Sequence, residues 1–364
     1  MLGNDASPAE GMQNIAPSKE FLACLPKAEL HVHLEGSLQP DTLREIARDR
    51  SSVRESVEEW IAVQQRRRYR YATFVEFIEA FKFVAVLLDR PAIYALATTR
   101  LMESLAAQNV KYAEITLSAG VILWKNQPLD AVFEAVRAAS LEAEARSGLR
   151  VNWIFDAVRQ FGPEHALQVV DWACRYQSNG VVAFGLGGDE ERGPAELFRA
   201  VYRKARDKGL HVIVHAGETG PPESVRQAVE LLHAERIGHG LAAAQSPEVL
   251  ALLRDRGTPL EVCPTSNVAL GLVPEFNAHP LPMFMREGVT VTLNSDDPAL
   301  FDTSLEREFT LAAQNFSLSR GQIVQLCRNA IQAAFLSAVD KRLLVEQVEQ
   351  AAKLAAGEIN HAAS

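Results

Sequence analysis

Two histidines one residue apart, His31 and His33, stand near the end of an apolar segment, in the sequence His-Val-His-Leu-Glu-Gly-Ser. Side chains two positions apart on a β-strand point to the same side of the sheet, so the two imidazoles would project together. Neutral imidazole nitrogens are good ligands for zinc and similar transition metals. A His-x-His pair alone is equally compatible with ordinary polar residues at a strand end, so its interpretation depends on the rest of the chain.

Ionisable residues follow three more apolar segments, all in the second half of the chain. They are His215 and Glu218 in His-Ala-Gly-Glu, His239 in Gly-His-Gly, and Asp296 and Asp297 in Asn-Ser-Asp-Asp-Pro. Taken separately, each motif has a structural explanation, such as a carboxylate that caps a helix or a histidine that packs in the core. Their joint occurrence favours a functional site if the fold brings them together.

Three imidazoles and one carboxylate can hold a metal ion and still leave a position for water, as a catalytic metal site requires. The candidate ligands are His31, His33, His215 and Asp296. A bound metal lowers the pKa of water from about 15.7 toward 7. Three ionisable residues remain to donate protons and to orient the water: Glu218, His239 and Asp297. The set indicates metal-assisted hydrolysis at an electrophilic carbon.

The elements that must position these motifs alternate between short apolar segments and longer amphipathic ones. Such alternation predicts parallel strands joined by crossover helices. The eight candidate strands are Ala28–Leu34, Val110–Leu117, Arg150–Ala157, Val181–Leu186, His211–His215, Arg236–Gly238, Pro259–Cys263 and Thr290–Asn294. Eight units predict a (β/α)₈ TIM barrel, an α/β fold. The motifs end strands one, five, six and eight, so they should converge at the C-terminal face of the barrel.

We expect a disordered tail over residues 1–19 and a single barrel domain over 20–364. About seventy residues separate the first two strands, more than a simple βα connection needs. This helical insertion, at about 40–108, includes an amphipathic pattern at Phe74, Phe77, Ile78 and Phe81. Because it follows a strand, we expect it to cover the site as a lid rather than to pack on the barrel wall. Helices after strand eight are predicted at Leu305–Asn315, Arg320–Ala338 and Lys341–Ala356.

The composition argues against two classes of partner. The net charge of −9 disfavours a nucleic acid, so the basic and aromatic segment Arg66–Tyr71 is expected to be a solvated surface of the insertion. No apolar stretch is long enough to span a bilayer. Four scattered cysteines without a C-x-x-C pair are typical of a cytoplasmic protein. We therefore predict a cytoplasmic location with no nucleic-acid or membrane partner, while the oligomeric state stays open.

Two partial motifs do not extend to known cofactor or zinc signatures. Gly185, Gly187 and Gly188 resemble a dinucleotide-binding turn, but Glu190 stands where the third glycine is required. His33 and Glu35 fit the H-x-E half of the cytidine-deaminase zinc motif, but no P-C-x-x-C accompanies them. Neither a dinucleotide nor the cytidine-deaminase type of zinc site is predicted.

From about Phe21 to Ala338 the motifs resemble those of the adenosine/adenine deaminase family of the metal-dependent amidohydrolase superfamily, and they occur in the same order as in that family. The resemblance implies one Zn²⁺ per chain, held by His31, His33, His215 and Asp296. It implies that Glu218 protonates purine N1 and that His239 orients and deprotonates the water. Asp297 would contact that water and purine N7. The implied substrate contacts also include His33, Glu35 and Gly188, whose backbone N–H would meet purine N3.

The implied reaction is hydrolytic deamination of a 6-aminopurine to a 6-oxopurine and ammonia. Glu35 stands where many adenosine deaminases carry Asp against the ribose 5′-hydroxyl, and a glutamate there resembles the adenine-specific relatives. Residues 297–303, in contrast, resemble the nucleoside-type sequence. We therefore expect an adenosine-type nucleoside as substrate. The alternatives are 6-aminodeoxyfutalosine, a nucleoside with a bulky 5′ extension used in menaquinone synthesis, and then free adenine. A catalytically idle binding protein is the remaining alternative, although no motif residue is missing.

Overall fold

Eight parallel strands form the centre of the fold in the part of the chain that the computed structural model describes, residues 15–48 and 50–362. In chain order they are β1 (Lys27–His33), β2 (Val110–Leu117), β3 (Arg150–Val158), β4 (Val181–Gly187), β5 (His211–Ala216), β6 (Arg236–His239), β7 (Leu260–Val262) and β8 (Val291–Leu293). Each strand pairs in parallel with the next. The predicted (β/α)₈ barrel is confirmed.

The first and last strands meet at the motif residues themselves. Val32 bridges Asp296, the His33 N–H donates to the Asp296 carbonyl, and the Asp296 N–H donates to the His31 carbonyl, both at 2.9 Å. The barrel is therefore closed by the backbone of two of the predicted metal-binding motifs.

The predicted strand positions agree with the structure to within one residue at each end. β2 has the predicted bounds. β7 is shorter than the predicted Pro259–Cys263, because proline has no N–H for the ladder and Cys263 already precedes a helix that begins at Pro264. Most strand residues are buried, as expected where helices cover the outside of a parallel barrel.

One seam of the barrel is paired over a short length only. β4 and β5 pair at Ala183 with His211 and at Phe184 with Val212, although both strands continue toward the C-terminal face. The buried Arg159 guanidinium lies beside this seam and donates to the His215 carbonyl at 2.8 Å and to the Gly193 carbonyl. The Arg159 side chain therefore supplies hydrogen bonds at this seam in place of backbone pairing.

The helices that surround the strands follow the βα alternation. They are α1 (Lys19–Cys24), α2 (Pro40–Ala47), α3 (Ser51–Arg67), α4 (Phe74–Leu87), α5 (Pro91–Ala107), α6 (Ala119–Trp124), α7 (Leu129–Ser147), α8 (Gly162–Arg175), α9 (Arg199–Asp207), α10 (Pro222–Glu230), α11 (Pro247–Arg256), α12 (Pro264–Ala269), α13 (Leu281–Arg286), α14 (Leu305–Asn315), α15 (Arg320–Ala333) and α16 (Ala338–Ala362). None of these helices, over the residues described, has the length and apolar character needed to cross a membrane.

The prediction of one helix over Arg320–Ala338 is wrong at its C-terminal end. α15 stops at Ala333, and Ala334 is extended. The chain leaves the helix there because the Phe335 N–H donates to the buried carboxylate of Glu114 at 2.6 Å, inside the barrel. A long-range hydrogen bond has overridden local helix propensity.

The insertion between β1 and β2 consists of α2 to α5, and its parts have different neighbours. The Phe77 ring in α4 stacks on Phe301 with centroids 5.2 Å apart, and the Tyr71 hydroxyl donates to the Leu300 carbonyl at 2.9 Å. Both contacts are with the loop after β8, at the C-terminal face. α5 packs against α7 on the barrel wall. That α4 acts as a lid stays a prediction, whereas α5 is a wall helix.

Two expectations about surface segments need qualification. Tyr71 is 3% exposed, so the segment 66–71 is not solvated throughout, because this tyrosine seats the insertion on the barrel. The predicted tail 1–19 lies outside the described residues as far as residue 14. Its last residues make contacts: the Arg320 N–H donates to the Ile15 carbonyl at 2.9 Å, and the Ser18 side chain caps α1.

Candidate metal and catalytic site

The four predicted metal ligands meet in one buried cluster at the C-terminal ends of β1, β5 and β8. His215 Nε2 lies 3.3 Å from His33 Nε2, and Asp296 Oδ1 lies 3.5 Å from both His31 Nε2 and His33 Nε2. Ligand atoms bound tetrahedrally to zinc at about 2.1 Å lie about 3.4 Å from one another. The spacing of these atoms therefore fits a single metal ion of that size.

Two of the three histidines of this cluster are in the neutral state that a metal ligand requires, whereas, despite burial, Asp296 and Glu261 raise the pKa of the third, His31. Burial lowers the pKa of His33 to about 4 and holds the pKa of His215 well below its usual value, so both imidazoles are neutral. The Nε2 atom of His31 is buried and has no hydrogen-bond partner among the described residues. A metal ion would satisfy this atom. The set His31, His33 and His215 and the set His31, His239 and Asp296 each bring their ligand atoms within 4.8 Å.

Two residues of the site have backbone conformations that residues other than glycine rarely adopt. His239 has a φ of 61° and Asp296 a φ of 62°, both in the left-handed region. Non-glycine residues persist there only when their surroundings hold them, and such strain concentrates at functional sites. For Asp296 the holding contacts are the backbone hydrogen bonds to β1 that close the barrel.

Glu218 lies beside His239, whose Nε2 atom is also 4.0 Å from Asp296 Oδ2. The Glu218 Oε1 atom is 3.7 Å from His239 Nε2, and the Glu218 side chain is 9% exposed. Burial, together with the charges of Asp296 and Glu190, raises the pKa of Glu218 well above its usual range. A carboxyl group that keeps its proton at neutral pH can act as a general acid.

Asp297 lies against the turn that follows β1. A Cβ added to Gly36 would be 1.7 Å from Asp297 Oδ1, so only glycine leaves room for this carboxyl group. Oδ1 is buried and has no hydrogen-bond partner among the described residues. Burial, reinforced by the charge of Asp296, raises the pKa of Asp297 well above its usual range. Protonated at Oδ1, Asp297 would be a hydrogen-bond donor without an acceptor among the described residues.

The two remaining predicted substrate contacts flank this cluster. Glu35 is buried, its Oε1 accepts from the Ser118 N–H at 3.0 Å, and its Oε2 has no partner among the described residues. Burial raises the pKa of Glu35 to about 7. Gly188 follows β4 with a φ of 98°, and a Cβ there would be 2.3 Å from Gln160 Oε1. Its neighbour Gly187 lies beside the His215 ring.

Three buried acidic residues at this site have no role in the sequence-based interpretation. Glu261 accepts from His31 Nδ1 at 2.8 Å, and such partners orient metal-binding histidines. Asp156 faces the barrel interior beside Gly185 and Gly187, and burial raises its pKa to about 8. Glu190, in the sequence, only interrupts a glycine motif. A charged residue inside an apolar strand was the available signal for Glu261 and Asp156, whereas Glu190 offered none.

A second polar cluster, called the lower cluster, consists of Arg236, Glu114 and Glu261 and lies nearer the N-terminal end of the barrel, where Arg236 begins β6. Arg236 donates to Glu114 and Glu261 at 2.5 Å each, and its guanidinium lies 3.9 Å from the ring centroid of Phe335. Although burial favours the neutral acid, Arg236 and His31 hold the pKa of Glu261 below its usual range. Glu261 therefore connects the lower cluster to a predicted metal ligand.

A model of the family described as adenosine deaminase matches residues 26–351. An aminodeoxyfutalosine deaminase from Streptomyces coelicolor is 37% identical over 331 residues, which are 90% of this chain and 85% of that protein. An adenine deaminase from Rhizobium rhizogenes is 35% identical over 324 residues, 89% of this chain and 99% of that protein. These matches extend over nearly all of the barrel.

A solved structure supports the same assignment of fold. An amidohydrolase from Burkholderia ambifaria, with bound Zn, superposes with a TM-score of 0.83 at 26% identity. The superposition covers 98% of this chain and 97% of that chain. The zinc is a property of that protein, and its presence agrees with the spacing of the donor atoms described above.

Proposed function

Because the chain belongs to the adenosine deaminase family, we propose that it is a zinc-dependent enzyme that hydrolytically deaminates a 6-aminopurine nucleoside. Aminopurine deamination follows from the family, whereas zinc, the residue roles and the nucleoside are the proposal. The observation that carries it is the convergence of four donor atoms at 3.3–3.5 Å beside a buried carboxyl group that keeps its proton. A cytoplasmic location remains a prediction from the cysteine pattern.

In this proposal His31, His33, His215 and Asp296 hold one zinc ion. When bound, zinc would act as a Lewis acid that lowers the pKa of water toward 7. His239, neutral because burial lowers its pKa to about 4, accepts a proton from the attacking water. Glu218 donates its proton to purine N1, which withdraws electrons from C6 as the nucleophile arrives. The C6–N bond then breaks, the amino group leaves as ammonia with the proton that His239 accepted, and the proton of the new C6 hydroxyl returns to Glu218. Asp297, also protonated, donates a hydrogen bond to N7 and so orients the ring.

The nucleoside is favoured by two observations. Glu35 has a buried oxygen with no partner among the described residues, which a sugar hydroxyl or a 5′ substituent could satisfy. A relative that is 37% identical is named aminodeoxyfutalosine deaminase, which makes 6-aminodeoxyfutalosine the leading nucleoside beside adenosine. Free adenine is the second candidate, because a relative that is 35% identical is named adenine deaminase.

The test is a substrate panel on the zinc-loaded enzyme. Adenosine, deoxyadenosine, adenine and 6-aminodeoxyfutalosine are compared by kcat/KM from the change in purine absorbance. A nucleoside should exceed adenine by at least about tenfold, and removal of the metal by a chelator should abolish turnover until zinc is restored. Preference for adenine contradicts the nucleoside assignment, and full activity of metal-free protein contradicts the zinc assignment.

A further inference from the structure

The loops after β4 and β5 approach the proposed purine site from one side, yet the backbone ladder does not fix their spacing. Pairing between these strands ends at Phe184 and Val212, whereas β4 runs on to Gly187 and β5 to Ala216. Arg159 bridges part of this seam, because it donates to the Gly193 carbonyl in the loop after β4 and to the His215 carbonyl in β5, but these bonds do not reach the loop after β5. The loop after β5 is joined to the loop after β4 by a different interaction.

The Glu190 carboxylate makes that connection. It belongs to the loop after β4 and is 6% exposed. Four consecutive backbone N–H groups of the loop after β5, from Gly217 to Gly220, donate to it at 2.8–3.0 Å. The Ser224 hydroxyl of α10 donates to the same carboxylate. These five donors compensate for burial of the charge, and they converge because Gly217, with a φ of 68°, curls the backbone around an anion.

The two loops carry groups proposed for two atoms of one purine ring. The Gly188 N–H is proposed for N3 and the Glu218 carboxyl for N1, and these atoms flank C2. We propose that Glu190 is a positioning residue that fixes the distance between Gly188 and Glu218 and thereby orients the 6-aminopurine for protonation at N1. This inference rests on the proposed function. Glu190 acts through the backbone of the neighbouring loop and does not touch the substrate.

Glu190→Gln is the direct test, because it keeps the size of the side chain and turns one acceptor into a donor that faces N–H groups. The turn at 217–220 must then shift. A misplacement of about 1 Å lowers rates about 100-fold, so we expect kcat to fall by about that factor with KM changed much less. The exposed neighbour Glu191 provides the matched control. Glu191→Gln should stay within about twofold of the wild type.

A pair of inhibitors separates positioning from general damage. Unsubstituted purine, as base or nucleoside according to the accepted substrate, can accept a proton or hydrogen bond at N1, and its 1-deaza analogue cannot. In the wild type the ratio of the two inhibition constants measures the contact at N1. Glu190→Gln should reduce this ratio by about tenfold while the zinc content per chain stays at the wild-type level. A merely structural role would weaken both inhibitors equally.

The outcomes are distinct. If the wild type deaminates no 6-aminopurine, the proposed function fails and this inference fails with it. If the wild type is active and Glu190→Gln keeps its kcat and its inhibitor ratio, only the inference is overturned. Should Glu190→Gln fail to fold, Ser224→Ala removes one donor and keeps the carboxylate. It should lower kcat about fivefold with little change in KM, and wild-type kcat in this variant overturns the inference.

Discussion

The barrel encloses two polar clusters that differ in how their atoms are satisfied. In the lower cluster, Arg236 pairs with Glu114 and Glu261, and both carboxylates have additional donors. At the mouth of the barrel, the C-terminal face that carries the candidate site, four buried polar atoms have no hydrogen-bond partner among the described residues. They are His31 Nε2, His215 Nδ1, Glu35 Oε2 and Asp297 Oδ1.

This difference separates the parts of the barrel that stabilise the fold from the parts that serve the reaction. A buried polar group without a partner costs about 1–3 kcal/mol. Such a cost is retained where a ligand supplies the missing partner, and enzymes commonly accept lower stability at the active site for this reason. Substitutions at the mouth should therefore impair activity more than stability, and those in the lower cluster should do the reverse.

The largest effect is expected from Glu218→Gln at the mouth. Because burial raises the pKa of Glu218 and so favours its neutral form, the amide replaces this form with a group of nearly equal shape. The variant loses the proton for N1, so kcat/KM should fall by about 10²–10⁴-fold. The free energy of unfolding, measured with denaturant, should change by less than about 0.5 kcal/mol. Near-wild-type turnover with zinc bound would refute the assigned role.

In the lower cluster, Arg236→Met should mainly reduce stability. It leaves Glu114 and Glu261 buried without their cation, and breaking a buried pair in this way costs about 3–5 kcal/mol. The measurement is urea unfolding of the metal-free protein. Arg226→Met on α10 is the control, because this arginine pairs with Glu223 and Glu230 in solvent, where such pairs contribute about 0–1 kcal/mol. Equal losses in the two variants would contradict the comparison.

Glu261→Gln tests the residue that belongs to both clusters. The amide keeps a hydrogen bond to His31 Nδ1 within reach but removes the charge that orients and polarises the ring. Loss of such a partner weakens metal affinity by about 10–100-fold. Competition with a chelator measures this effect, and the exposed Glu275→Gln serves as control. Unchanged affinity in Glu261→Gln would show that the lower cluster does not act on the metal site.

Glu308 shows that the charge of a partner matters as well as its presence. This buried carboxyl accepts from the Thr303 hydroxyl and the Thr265 N–H but forms no ion pair among the described residues, and burial raises its pKa to about 7. The folded state therefore holds a proton that the unfolded state loses near pH 4.5. Its contribution to stability is complete below about pH 4.5 and is lost as the pH rises through about 7.

The Glu308→Gln variant should consequently show a smaller decrease in unfolding free energy between pH 5 and 7 than the wild type. The difference in slope is at most about 1.4 kcal/mol per pH unit, which corresponds to one proton. Denaturant unfolding at a series of pH values measures it. Parallel pH profiles of the two proteins would show that Glu308 is ionised in the folded state.

Much of the fold was predictable because local patterns determine it. β2 has its predicted bounds, and α14 spans Leu305–Asn315 as predicted. The end of α15 was not predictable, because the group that ends it is a carboxylate on β2, 221 residues away from Phe335. Strand order and crossover rules place the motifs on one face, whereas a single distant hydrogen bond leaves no periodic signal.

The same division applies to the site. The convergence of the histidines and aspartates follows from their places at strand ends, since all barrel strands end at one face. Glu190 could not be predicted, because its partners are backbone N–H groups, which every residue except proline has. Glu261 was recognisable as a charge within an apolar strand, but its pairing with His31 depends on the stagger of the strands around the barrel.

The bridge between Val32 and Asp296 has a consequence for the newly made protein. The residues that join the ring lie near the start and toward the end of the chain, and ribosomes add about 5–20 residues per second. For some tens of seconds the histidines of β1 therefore exist without the carboxylate that completes their site. An unfinished chain cannot capture the proposed ion with its full ligand set. The complete proposed ligand set therefore becomes available only after β8 has been translated.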